Sequence, residues 1–139
     1  QNSLKARISG TLGGRAAEQI VFGSSQITSG AGEDLQRVER MARAMVTQVG
    51  MSSLVGPISI SEGGSRGPDY SEELSAKIDD AIRGISDECY RNALTILSRH
   101  RPCLDRIVDE LLEFETLPGD KLREIVAEYT SIPERLATV

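Results

Sequence analysis

Few side chains in this sequence could do chemistry, and spacing alone does not assemble them into a set. His100 is the single histidine. It stands beside Arg101, just past a helical pattern, where it suits a charge partner for the helix C-terminus better than a ligand or a base. No Ser-His-Asp set assembles around it, and with one histidine the chain cannot form an HExxH motif. Cys89 and Cys103, the only two cysteines, show no CxxC spacing. One falls on an apolar helical face and the other at a helix start, so they read as buried thiols and not as a disulfide or a metal pair. The glycine-rich run GSSQITSGAG, from Gly23 to Gly32, lacks the Lys-Ser/Thr of a phosphate loop. Glu18 and Asp34 remain. With Glu33, Asp34 falls in the first turn of a helix, where the positive end of the dipole favours a carboxylate and backbone N–H groups can bond to it. Taken alone, Glu18 reads as a helix residue that pairs with Arg15 or with an arginine of another helix.

The elements that must position these two carboxylates are helices. Leu4, Ile8, Leu12, Ala16 and Ile20 recur every four residues and predict one helix over about 3–23. Gly13 and Gly14 interrupt it at a cost of about 1 kcal/mol each relative to Ala, which suggests close approach of another backbone there. The run from Gly23 to Gly32 has turn chemistry and is expected to be an ordered loop. Leu35, Val38, Ala42, Met45 and Val49 then form one stripe, predicting a helix over 33–49 with Gly50 as its C-cap. LVGPISI, Leu54 to Ile60, contains Pro57 and reads as an extended segment or an edge strand. EGGSRGP, Glu62 to Pro68, is linker-like, although the amphipathic segments on either side could share one core. A long helix is expected over 71–98, capped by Asp69 or Ser71, with Leu74, Ile78, Ile82, Ile85, Cys89, Ala93 and Ile96 as its apolar stripe. Arg101-Pro102 ends it and suits the first turn of another helix reaching about Glu115, whose expected buried face is Leu104, Val108, Leu111 and Leu112. After the turn LPGD (Leu117 to Asp120), a last helix carries Leu122, Ile125, Val126 and Tyr129, and Ser131-Ile132-Pro133 stops it. The expected fold is all-α, a bundle of about five helices with one short extended segment near Leu54–Ile60.

Length and charge narrow the classes further. At 139 residues the chain can bury a real core, and without Trp that core must be mostly aliphatic. The net charge of -5, with scattered acidic residues, argues against a nucleic-acid surface. No stretch approaches the roughly 20 apolar residues that span a bilayer, and the N-terminus has no signal-peptide pattern. The sequence begins without Met and directly inside a helical pattern, so it is expected to be a soluble piece of a larger protein.

The order of motifs carries more than any one residue. LGGRAAEQIVFG (Leu12 to Gly23) is followed by TSGAGEDLQRVERMARAMVTQVGMS (Thr28 to Ser52) and then by LVGPISI. This series resembles the protease domain of the FtsH-type, membrane-anchored, ATP-driven AAA+ zinc metalloproteases. That family runs through a GGRxAE helix, a GA-x-x-D loop-to-helix junction, an MAR-x-MV helix and a GMS…GP turn, in that order. The likeness continues more weakly through DDAIRGISDECYRNALTIL (Asp79 to Leu97), IVDELLEFET (Ile107 to Thr116) and EYTSIP (Glu128 to Pro133).

The resemblance implies that Asp34, the aspartate of the GA-x-x-D junction, is the third zinc ligand beside two histidines of an HExxH helix lying upstream of Gln1. It implies that Glu18 of the GGRxAE helix lies close to the site and orients a ligand histidine. The family often has a second glutamate next; here that position is Gln19. No catalytic residue is expected within the chain itself, which should neither bind zinc tightly nor cleave substrate alone. On this reading residues 1–61 hold the helices near the zinc site, 62–69 a flexible loop and 70–139 a C-terminal helical bundle. The parent is expected to be a zinc endopeptidase using ATP at a separate domain. It would degrade unfolded and membrane proteins in protein quality control, and assemble as a homo- or hetero-hexamer. Its anchor would lie in a bacterial inner membrane, a thylakoid or a mitochondrial inner membrane. The alternative is a non-catalytic assembly module of an inactive relative.

Overall fold

The computed structural model describes residues 2–26, 32–48, 50 and 71–131. Among them are six α-helices and no strand: α1 (Asn2–Thr11), α2 (Gly13–Phe22), α3 (Gly32–Thr47), α4 (Glu72–Arg99), α5 (Arg101–Phe114) and α6 (Gly119–Tyr129), with a 3-10 turn at Ser24–Gln26 after α2. The all-α expectation holds. The expected extended segment Leu54–Ile60, the loop 62–69 and the stop at Ile132-Pro133 lie outside the described residues.

The single first helix expected from the four-residue stripe is two helices. Leu12 sits between them at φ −79°, ψ −4°, and the backbone ladder still crosses it, from Leu12 N–H to Ile8 C=O and from Ala16 N–H to Leu12 C=O, each at 3.0 Å. The stripe survives because these bonds keep the phase: Ile8, Leu12 and Ala16 are all buried. The break coincides with the poor helix formers Gly13 and Gly14. Close approach of another backbone does not explain them, since a Cβ at either would meet nothing within 4 Å. Gly23 ends α2 at φ 83°, ψ 163° with its N–H on Gln19 C=O, a conformation open essentially to glycine alone.

The chain packs as two units, divided inside α4 at Thr95–Ile96. In the first, Ile8 and Leu12 of α1, Val38, Ala42, Met45 and Val46 of α3, and Ile78, Ala81, Ile82, Ile85 and Cys89 of α4 form one core. Segments on both sides of 62–69 therefore share it. Ser71 caps α4, its Oγ accepting from Leu74 N–H at 3.2 Å. α3 ends at Thr47, two residues short of the expected end, so Gly50, at φ 63°, stands beyond the C-cap position expected of it. Thr47, buried at the end of α3, donates its hydroxyl to Arg43 C=O at 2.8 Å, so its burial leaves no unsatisfied polar group.

In the second unit α5 and α6 pack together, and here the expected face of α5 is wrong. Cys103 and Glu110 are buried, whereas Val108 is 37%, Leu111 41% and Leu112 78% exposed. The buried positions are spaced i, i+7, somewhat more than a third of a turn around the helix from the centre of the expected stripe. Glu110 can turn inward because Arg106, one helical turn earlier, pairs with it; that bond also raises the Arg106 pKa. Cys89 and Cys103 are both free, buried thiols, as expected.

Candidate metal-ligand site

Asp34 lies in the first turn of α3, exposed to solvent. It makes no ion pair or side-chain hydrogen bond among the described residues, so the expected bond to backbone N–H groups is not formed there. Its helix is nonetheless anchored further along. The second half of α3 is sunk in the core, with Ala42, Met45 and Val46 fully buried, and an α-helix transmits that rigidity to its first turn through continuous hydrogen bonds. An exposed carboxylate on a fixed backbone is the kind of hard oxygen donor a metal can take as one ligand among several.

Glu18 sits in the middle of α2, half-buried, and is engaged with a neighbouring group. It follows Ala16, which is completely buried, so α2 has an inner face on which small residues allow close packing. Glu18 and Asp34 belong to no group of three or more His, Cys, Asp or Glu side chains able to hold a metal among the described residues. What they share is an end of the first unit. Arg43 of α3 reaches Asp79 of α4 at 3.8 Å. A groove of about 350 Å³ runs from there along Val38 and Ile82 to Leu35, Ser86 and Asp87. The two helices are thus antiparallel, and the Asp34 end of α3 meets the part of α4 that leads to Tyr90. Tyr90 donates its hydroxyl to Oε1 of Gln19, the residue after Glu18. The Glu18 segment, through Gln19, and the Asp34 end of α3 therefore both lie along the stretch of α4 from Ser86 to Tyr90.

Tyr90 is the residue that sequence reasoning missed. Its position beside Cys89, at the edge of an apolar stripe, was the only signal; its partner lies 71 residues away. A second long-range tie stands nearby, Lys5 Nζ to Glu88 Oε2 at 2.7 Å, joining α1 to α4. Between them, Cys89 is kept a thiol: burial pushes its pKa up and Glu88 adds to this, against the Ser9 hydrogen bond and Lys5. Burial likewise raises Cys103. Neither thiol is a ready nucleophile or soft metal ligand in this state. His100, at the N-cap of α5 without a side-chain capping bond, belongs to the second unit.

Comparison with known proteins bears on this arrangement. Residues 1–125 match the family model described as peptidase family M41. The chain is 42% identical, over 97% of its length and 22% of the relative's, to the protein named ATP-dependent zinc metalloprotease FtsH in Trieres chinensis. It is 43% identical, over 96% of its length and 21% of the relative's, to ATP-dependent zinc metalloprotease FTSH 2, chloroplastic, of rice (Oryza sativa subsp. japonica). The corresponding protein of Arabidopsis thaliana is 42% identical over 96% of the chain and 20% of its own length. The chain thus spans about a fifth of the length of these curated relatives.

Proposed function

Because the chain belongs to peptidase family M41, we propose that it is the C-terminal part of the protease domain of an ATP-dependent zinc metalloendopeptidase, with Asp34 as the third zinc ligand. The single observation that carries the reading is the placement of Asp34. It is an exposed carboxylate in the first turn of a helix whose other end is buried, at the aspartate of the GA-x-x-D junction. The donor chemistry fits. Two imidazoles spaced i, i+4 on one helix leave the third ligand to come from a different element, and a carboxylate from α3 is such a ligand. Zinc, when bound, would supply a Lewis acid that polarises the peptide carbonyl and acidifies water. Asp34 would hold its carboxylate toward the ion through the fixed backbone of α3. Glu18, half-buried on α2, would accept the second ring N–H of a ligand histidine and fix its tautomer.

The rest of the activity belongs to the whole protein. The histidines and the base come from residues outside this chain, and ATP is used at a separate domain. The substrates are unfolded and membrane proteins, degraded in quality control by a hexamer of like or related subunits. Among the expected anchoring membranes (bacterial inner membrane, thylakoid or mitochondrial inner membrane), the relatives named chloroplastic favour the thylakoid. Among the described residues no helix is long and apolar enough to cross a membrane, so the anchor too would lie outside this chain.

The test is Asp34→Ala in the whole protein. Zinc stoichiometry near one per subunit should fall to near zero and proteolysis should be lost. Full zinc and normal proteolysis in the variant would refute the reading. The second reading, a non-catalytic assembly module of an inactive relative, draws support from the exposed apolar face of α5 at Val108, Leu111 and Leu112. It is favoured if the whole protein lacks HExxH and holds no zinc.

A further inference from the structure

We infer that the open face of α5 pairs two copies of this chain, antiparallel, about a two-fold axis at Val108. Arg101, Leu104, Val108, Leu111 and Glu115 follow one another at spacings of three and four, so they form one stripe along the helix. α6 packs on a different side. Cys103 and Glu110 are buried there, and Arg106, which pairs with Glu110, lies near Glu128 of α6. Val108 and Leu111 are left exposed and Leu104 half-buried. A row of exposed apolar side chains bounded by charges has the make-up of a contact surface.

The charges select the occupant. α5 has no acidic residue in its first turn and no basic residue in its last. Instead Arg101 opens the helix and Glu115 caps it, each at the end where the helix dipole disfavours its charge. Arg101 has a partner one turn on in Asp105, at 2.9 Å; Glu115 makes no ion pair among the described residues. Val108 stands midway between the two in sequence. A second α5 laid antiparallel, Val108 on Val108, therefore sets Arg101 of each copy opposite Glu115 of the other. Leu104 of each copy then meets Leu111 of the other, and each helix end receives a charge that suits its dipole. A parallel copy would set Arg101 on Arg101 and Glu115 on Glu115, which like-charge repulsion disfavours. The antiparallel contact uses one patch on both partners. It cannot close a ring of six by itself, so it is additional to the ring contact of the proposed hexamer, and it does not depend on zinc.

The experiment uses the whole protein carrying Val108→Cys, with Asp109→Cys as an off-stripe control. Under mild oxidation Val108→Cys should give a covalent pair on a non-reducing gel, because residues on the axis approach within disulfide reach; Asp109→Cys should not. The protein concentration at half-maximal cross-linking measures the affinity. Adding Arg101→Glu or Glu115→Arg to Val108→Cys should raise that concentration about tenfold or more, and adding both should return it close to the starting value. Glu115→Arg puts a charge that the dipole favours at the end of α5, so its thermal midpoint should not fall, and lost pairing there cannot be lost folding. No covalent pair from Val108→Cys, whether its thiol is open to maleimide or covered by another part of the protein, would overturn the inference. So would a double charge swap that pairs no better than the single ones.

Discussion

The two units bury themselves differently, and the difference separates what the chain holds rigid from what it leaves open. In the first, three helices contribute one continuous aliphatic core, with Ile8, Met45, Val46 and Ile78 at zero exposure. In the second, Ile125 at 1% is the one large aliphatic side chain fully buried among the described residues, while Leu112, Phe114, Leu122 and Tyr129 stay substantially exposed. The candidate metal ligand is built on the first. A carboxylate that must stay within a fraction of an ångström of a metal needs a backbone that does not move, and α3 in its core is that backbone.

The comparison can be broken by mutation. The largest effect is expected from Ile78→Ala, which removes a fully buried side chain from the shared core and should cost about 2–5 kcal/mol in urea unfolding. Leu112→Ser, at a position 78% exposed, should stay within about 0.5 kcal/mol; equal losses would erase the distinction between the units. Native-state hydrogen exchange should place the amides of α5 and α6 in a class that opens at lower free energy than those of α3 and the first two-thirds of α4. A single uniform class would count against it. Ser71→Ala removes the cap that receives Leu74 N–H and should cost about 1 kcal/mol.

Smaller effects sharpen the picture. Folding raises the Cys89 thiol above its ordinary 9.0, so the folded state holds this proton more tightly than the unfolded chain. Its contribution is fully present below about pH 9 and is lost as pH rises toward the folded value. Denaturation midpoints should decline above that pH, and less steeply in Cys89→Ala. Glu115, the one described non-glycine residue at positive φ, sits at 61°. Glu115→Gly should be neutral or stabilising by up to about 1 kcal/mol in the same unfolding assay.

Much of this architecture was legible from spacing, and the exceptions have physical causes. The middles of the stripes of α3 and α4 named buried faces, because Val38, Ala42 and Met45 and Ile78, Ile82, Ile85 and Cys89 meet in one core, whereas Leu35 at 40% and Ile96 at 55% stay exposed at the stripe ends. The stripe of α5 named an apolar face correctly but not a buried one. With a single short neighbour, burial fell on Cys103 and Glu110, and an Arg106 partner four residues away let a carboxylate turn inward. The split at Leu12 kept its helical phase, so a periodic pattern could not reveal it. At the candidate site, the first-turn position of Asp34 was readable from its helix, whereas the metal role proposed for it was first suggested by the order of motifs. The Tyr90–Gln19 bond joins residues 71 apart and follows from the fold, not from any local pattern.

The central claim is that Asp34 ligates zinc. The most direct measurement is a zinc-edge anomalous difference map from crystals of the whole protein. The account predicts one strong peak per subunit at about 2.0–2.2 Å from an Asp34 carboxylate oxygen, with two histidine nitrogens completing the protein ligands. A zinc peak fully coordinated without Asp34, or no peak from zinc-replete crystals, would contradict it.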